Sequence, residues 1–279
     1  MGPGTPLRLN LIEGFTLCEG SRKLGIAASA QRLIALLALR DRPVGRFHLA
    51  GTLWPNYSTE RSLADLRTAL WRVNQSSERV VAATASFLSL GTDVDVDVRN
   101  VVAFAHRLNQ ADIRPETIDL DSVGLDDLSG DLLPDWYDNW LQDEREGLRQ
   151  IRLHALENLA RRLSASSRHG DAIQAALAAI RLEPLRETAH RTLIEAHLAE
   201  GNWSEACRQL QRCRRLLMEE LGVEPSESVR QLLENGPQPG AFAGFPARAA
   251  PMGSRSPGWA PRSSPASASL PTVAACQPA

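Results

Sequence analysis

Arg61, Asp65, Thr68, Arg72 and Gln75 all lie within one stretch, ERSLADLRTALWRVNQ, from Glu60 to Gln75. Leu63, Leu66, Leu70 and Val73 recur there at steps of three, four and three. At about 100° per residue they form one apolar stripe of a helix. The five polar residues fall opposite that stripe, with Arg67 and Trp71 at its edges. Arg and Gln side chains on an exposed helix face reach base edges and phosphates in a DNA major groove. The same pattern also describes an ordinary solvated amphipathic helix, so the order of surrounding elements must decide between the two.

Within that helix the residue types suggest separate duties. Arg61 and Arg72 are candidates for base or phosphate contact, Thr68 and Gln75 for base edges and backbone, and Arg67 for phosphate. Asp65 faces a polyanion unfavourably unless it accepts from cytosine N4 or orients a neighbouring arginine.

Ahead of the helix, Leu7–Ile12 alternates apolar and polar residues as a strand does. Phe15–Cys18 and Arg22–Ile26 suggest two more, giving a small antiparallel sheet. Ser29 is placed to cap a helix running to Leu39. Arg40-Asp41-Arg42-Pro43 breaks it, and Phe47–Leu53 forms a second, short helix. Pro55 pushes Trp54 out of helical geometry, so Trp54–Ser58 is a loop, and Ser58 or Thr59 caps the next helix. Val80–Thr84 and Phe87–Leu90 then form a hairpin, and Asp93–Val98 alternates as a strand with an acidic face. The order of strands, helix, helix, loop, helix and hairpin is that of a winged helix-turn-helix, with the third helix as recognition helix and the hairpin as wing. A small sheet before the first helix is the OmpR-like variety.

The segments LRLNLIEGFTL, SAQRLIALLAL, LAGTLWPNYSTERSLADLRTALWRVN and VDVDVRNVVAF resemble the DNA-binding domain of the Streptomyces antibiotic regulatory protein (SARP) family. Farther on, GDLLPDW, LEPLRETAH and ELGVEPSE resemble the bacterial transcriptional activator domain that follows it in that family. The resemblance covers about residues 7–235. It implies an activator that binds direct repeats as a homodimer or tandem pair, with the loop after Trp54 facing RNA polymerase. Asn56 and Tyr57 are then candidate polymerase contacts, while Trp54 packs into the core. His48, Thr84 and Ser86 are candidate phosphate or wing contacts. The wing tip Thr84-Ala85-Ser86 lacks the arginine or glycine that many related wings offer, so wing contact is expected to be weak.

The rest of the chain reads as mainly α with a small β part. Arg99–Asn109 is a helix and Asp112–Asp131 an acidic connector. A calcium loop beginning at Asp119 fails because Val123 and Gly130 stand where oxygen ligands are required. A long helix runs to Ser167, with Leu148, Ile151, Ala155, Leu159 and Leu163 at helical spacing. Gly170–Ala175 parallels Gly201–Ala206 at an offset of 31, and each run is closed by a later proline. Helix pairs of this kind, at a period of roughly 34 residues, mark TPR-like repeats. From Gly236 on there are nine of the seventeen prolines and no acidic residue, which is the composition of a disordered tail. The expected domains are 1–98, winged helix; 99–235, TPR-like activator domain; and 236–279, tail.

Composition narrows the function further. The net charge of −2 excludes a generic polyanion binder, yet residues 1–92 carry eleven Lys+Arg against six Asp+Glu, which fits a local nucleic-acid contact. Lys23 is the only lysine and is followed by Leu24, so no phosphate loop exists. The four cysteines are scattered without disulfide or zinc spacing. His190 and His197 stand two helical turns, roughly 10 Å, apart, too far for one ion. The Asp93/Asp95/Asp97 ladder reads as a solvated face. No catalytic, metal or cofactor set is indicated. With no long apolar run and no signal peptide, the expected place is the cytoplasm. Neither a receiver domain ahead of the winged helix nor a nucleotide-binding module after the helical repeats is expected. The expected function is therefore sequence-specific binding of double-stranded DNA with recruitment of RNA polymerase. The rival reading is a TPR-like adaptor with a degenerate winged helix, favoured by the neutral wing tip and Asp65 and opposed by the arginines.

Overall fold

A computed structural model describes residues 5–109, 128 and 130–234. The residues from Asp119 that fail as a calcium loop lie mostly outside this set, as do most of the acidic connector and the tail.

Strand β1 (Leu7–Asn10) turns Leu7 and Leu9 inward and Arg8 and Asn10 outward, as its alternation requires. It pairs antiparallel with β2 (Thr16–Glu19), which pairs with the short β3 (Arg22–Lys23). Helix α1 (Ala28–Ala38) follows, then β4 (Val44–Gly45), α2 (Arg46–Leu53), α3 (Thr59–Ser76), and the hairpin β5 (Val81–Ala83) and β6 (Phe87–Leu90). Strand β7 (Val94–Val96) returns to the first sheet.

The three N-terminal strands are antiparallel as expected, and that return adds a fourth. β7 runs parallel to β1, giving a mixed sheet in the order β3-β2-β1-β7. The chain can close this parallel pair because the three helices and the hairpin form the crossover between the two strands. The hairpin gains β4 as a third strand, in the order β4-β6-β5.

The acidic ladder does not share one solvated face. Asp93 lies 3.3 Å from Arg79 and Asp95 lies 3.8 Å from Arg8. Asp97 opens helix α4 (Asp97–Asn109) and accepts from the backbone N–H groups of Leu11 and Ile12 at 2.8 and 2.9 Å. The strand ends at Val96, two residues earlier than expected, and Asp97 begins α4 with its carboxylate held by those two N–H groups.

Ser29 is not the cap of α1. Ala27 occupies that position with no side-chain bond, and Ser29 lies inside the first turn. The other end of α1 is held by Arg99 of α4, which donates to the carbonyls of Ala38 and Arg40, each at 2.9 Å.

Residues 130–136 lie against the first sheet. Glu13 N–H donates to Asp131 O and Leu133 N–H to Leu11 O, at 2.8 and 2.9 Å. The Phe15 and Trp136 rings stack at 6.2 Å. Gly130 is needed there because a Cβ would stand 2.6 Å from Ile12 Cγ2. Arg145 gathers the turn by donating to the carbonyls of Leu132, Leu133 and Trp136.

Arg145 belongs to α5 (Asn139–Ala165), which ends two residues before the expected Ser167. Leu148, Ala155, Leu159 and Leu163 are buried along it, with Ile151 packed at the edge of the core. Helices α6 (His169–Leu182), α7 (Glu187–Glu200), α8 (Trp203–Leu221) and α9 (Glu227–Glu234) follow. Each of α5 to α8 packs on the next, the repeat geometry that the Gly/Pro spacing suggests. Gly201 ends α7 with φ of 84°, a left-handed cap that glycine adopts without a Cβ penalty. Glu157 and His190 are the buried polar anchors. Glu157 accepts from Arg186 Nε and Thr188 Oγ1, both at 2.6 Å. His190 has Pro184 O at 2.8 Å on Nε2 and Gln209 Nε2 at 2.6 Å on Nδ1, so the neutral tautomer with Nε2–H satisfies both.

Candidate nucleic-acid interface

Helix α3 is positioned from its start. Ser58 caps it by accepting from Arg61 N–H at 3.4 Å. The preceding loop is closed by Ser62 Oγ donating to Trp54 O at 3.1 Å. Trp54 packs against the core as expected, whereas Asn56 and Tyr57 are exposed.

The inward stripe of α3 is Ser62, Leu66, Ala69 and Val73. Leu63 and Leu70, expected at its centre, are only partly buried. Small residues occupy the contact because α3 packs closely on α1 and α2. Ser62 tolerates burial because its hydroxyl has a carbonyl partner. At 100° per residue the helix is turned by about 50° from the phase the leucines suggest.

This rotation reorders the outward face. Trp71, Ala64 and Gln75 lie at its centre, with Arg67 and Thr68 on either side, and all five are exposed. Trp71 is 61 % exposed. Arg67 and Trp71, expected at the edges, are thus central. Arg61 and Arg72 move towards one flank. Asp65 is half-buried at the margin rather than on the outward face.

Three of these side chains have partners. The Arg61 guanidinium lies over the Tyr57 ring, 4.8 Å from its centroid. Arg72 Nη1 donates to Ser29 Oγ at 2.9 Å. Thr68 Oγ1 donates to Ala64 O at 3.1 Å, so its hydroxyl proton is already used.

Beside α3 lies the three-stranded hairpin sheet. The Thr84 hydroxyl is occupied within its own turn, accepting from Phe87 N–H at 3.0 Å and lying 3.2 Å from Phe87 O. Ser86 O accepts from Arg46 N–H at 3.0 Å. Thr84 O receives Arg46 Nε and Nη2 at 3.2 and 2.8 Å. Arg46 therefore supplies the hairpin with the cation that its own tip lacks. The sequence carried a signal for this residue: a cation in the first turn of α2 is opposed by the helix dipole, so it needs another partner. His48 is exposed on α2 next to Phe47, which is 72 % exposed, and Phe87, paired with Gly45 between β6 and β4, is 50 % exposed.

Behind the loop is a cavity of about 310 Å³, lined among others by Arg32, Trp54, Tyr57, Tyr137, Asp138 and Trp140. Burial lowers the Arg32 pKa from its usual value, although Asp138 pairs with it. No group of three or more His, Cys, Asp or Glu side chains among the described residues is placed to hold a metal ion. No helix among them is long and apolar enough to cross a membrane.

Comparison with known proteins adds three findings. Residues 92–235 match the family model described as bacterial transcriptional activator domain. The chain is similar to regulatory protein AfsR of Streptomyces coelicolor, 26% identical over 227 residues, which is 79% of this chain and 22% of that protein. It is likewise similar to AfsR of Streptomyces griseus, 24% identical over 233 residues, 81% of this chain and 24% of that one. The chain thus spans under a quarter of the length of these curated relatives. Among solved structures, Mycobacterium tuberculosis EmbR in complex with a low-affinity phosphopeptide superposes with a TM-score of 0.66 at 19% identity. That match covers 84% of this chain and 66% of the other, and it establishes the fold.

Proposed function

Because the chain belongs to the bacterial transcriptional activator domain family and is a SARP-type transcription regulator, we propose that it activates transcription by binding duplex DNA through α3 and recruiting RNA polymerase. The observation that carries this reading is the outward arc of α3. Arg67, Thr68, Trp71 and Gln75 stand exposed along one side of an 18-residue helix, and the rest of the fold covers none of them. Arg61 flanks the arc from the helix N-terminus. Arg46 brings positive charge to the hairpin, which serves as the wing. An exposed helix of this width enters a major groove with its side chains at base edges.

Residues 1–98 hold the reader, 99–235 the helical platform and 236–279 the tail. Asn56 and Tyr57 supply polymerase contact from the loop beside α3, and the helical repeats pair two chains on direct repeats. The output is a shift in polymerase occupancy by binding free energy, in the cytoplasm, and not a turnover reaction.

The test is selection of bound sequences from a random duplex pool by the full chain, followed by a salt titration. A direct-repeat motif is expected, with affinity falling linearly in log salt as phosphate counterions are released. Enrichment of no sequence, with equal weak retention of all duplexes, would remove the DNA-reader function.

A further inference from the structure

We propose that this protein reads thymine by apolar contact, with Trp71 lying on thymine C5-methyl groups at the floor of the major groove. The proposal rests on the DNA-binding reading above and names the base that the centre of the interface takes. Trp71 stands at the middle of the outward arc of α3 and is 61 % exposed. Ala64, two turns earlier on the same line, is exposed too. Between them, Thr68 has given its hydroxyl proton to Ala64 O, which leaves its methyl as the group it offers. Between the exposed Glu60 at its start and Gln75 at its end, the centre of the arc is therefore an apolar strip, flanked by Arg67.

In the major groove only thymine presents a methyl group, and it does so beside the O4 acceptor. An indole matches that pair of features, with a broad apolar face for the methyl and one N–H for the oxygen. Cytosine offers the indole no methyl, and its N4–H₂ donor would meet another donor. Guanine is read by bidentate arginine, and the arginines here stand off the centre line.

The experiment uses the full chain and its selected operator, with each thymine replaced in turn by deoxyuridine, which deletes the methyl alone. Binding should weaken about fourfold per contacted methyl, the worth of one buried carbon expressed as a ratio. This should occur at one or two positions in each half-site. Trp71→Ala should abolish the discrimination at those positions while leaving the salt dependence unchanged. Trp71→Phe, which keeps an apolar ring without the N–H, should retain it. Circular dichroism of both variants should match the parent, since the side chain supports no core packing. Indifference of the parent to every deoxyuridine overturns the proposal. So does equal sensitivity in Trp71→Ala, or loss of sensitivity in Trp71→Phe. If the selection yields no operator, the DNA-reader function fails and the proposal with it. Specific binding without methyl dependence removes only the thymine contact.

Discussion

Arg67→Ala and Arg72→Ala distinguish the observed phase of α3 from the one its leucines suggest. With Leu63 and Leu70 inward, Arg72 would face the groove and Arg67 would sit at the edge. In the structure Arg67 is about 50° from the centre of the outward arc and Arg72 about 90°. Arg67 is exposed and has no partner among the described residues. Arg72 is held by Ser29 at 2.9 Å, and that bond must be given up or shared before Arg72 contacts DNA. Arg67→Ala should therefore cost roughly 1–3 kcal/mol at the selected operator, the range for an arginine that reads a base edge. The loss should vary with the base beneath it. If Arg67 grips a phosphate instead, the loss is uniform across sequences and the salt slope falls by about one. Arg72→Ala should cost under about 1 kcal/mol, because an exposed hydrogen bond of this kind is worth little net. Fluorescence anisotropy with a labelled operator, repeated over a salt series, measures both. A larger loss for Arg72→Ala than for Arg67→Ala would refute the assigned phase.

Two further expectations concern the helical part. Arg186→Met removes the nearer cation of the Glu157 carboxylate, whose side chain is 3 % exposed, and leaves it Thr188 and, at 3.7 Å, Arg161; it should cost about 1.5–3 kcal/mol in urea unfolding, the range for a hydrogen bond to a charged group, and a loss below about 1 kcal/mol would show that the pair does not anchor α7 to α5. The His190 pKa is lowered from 6.5 by burial, assisted by Arg212 and opposed by the Pro184 carbonyl and Glu187. Below pH 6.5 the unfolded chain therefore takes a proton that the folded chain refuses. Stability from this group should fall with pH from there until the folded pKa is passed, by at most about 1.4 kcal/mol per unit. His190→Gln should flatten that part of the stability–pH curve, and identical slopes for the two proteins would dismiss His190 as its source.

Local signals in this chain were legible wherever the residue itself carries the cause. Pro55 fixes the end of α2, Ser58 caps α3, and the alternation of Leu7 and Leu9 sets which face of β1 is inward. The long α5 follows from its leucines in the same way. What was not legible depended on a distant partner. Ser29 had the right type to cap α1, but Arg72, 43 residues away in sequence, lies on its hydroxyl. Asp97 continued an alternating pattern, but it begins α4 with its carboxylate held by the N–H groups of Leu11 and Ile12. The parallel register of β7 on β1 requires both strands to be seen together. The phase of α3 was missed because hydrophobicity favours Leu63 and Leu70, whereas close helix packing favours Ser62 and Ala69. A small residue at a tight contact leaves little mark in a pattern weighted by apolar side chains.

Helix α1 explains why that phase is fixed. Near its start Ser29 receives Arg72 from α3, and beyond its end Arg99 of α4 holds the carbonyls of Ala38 and Arg40. On its outer side Arg32 pairs with Asp138, just ahead of α5. Arg40, two residues past its end, meets Glu144 at 2.8 Å. Burial raises the Glu144 pKa, against the pull of Arg40 and with a smaller push from Asp143, so this contact is partly withdrawn from water and less screened than a surface pair. α1 is thus the element against which both α3 and the helical platform are set. The arc that carries Arg67, Trp71 and Gln75 takes its direction from the packing of Ser62 and Ala69 beneath it. The rotation of α3 and the anchoring of α1 to α4 and α5 are accordingly one structural fact, and a change at Asp138 or Glu144 acts on the support of the same surface that Arg67 and Trp71 present.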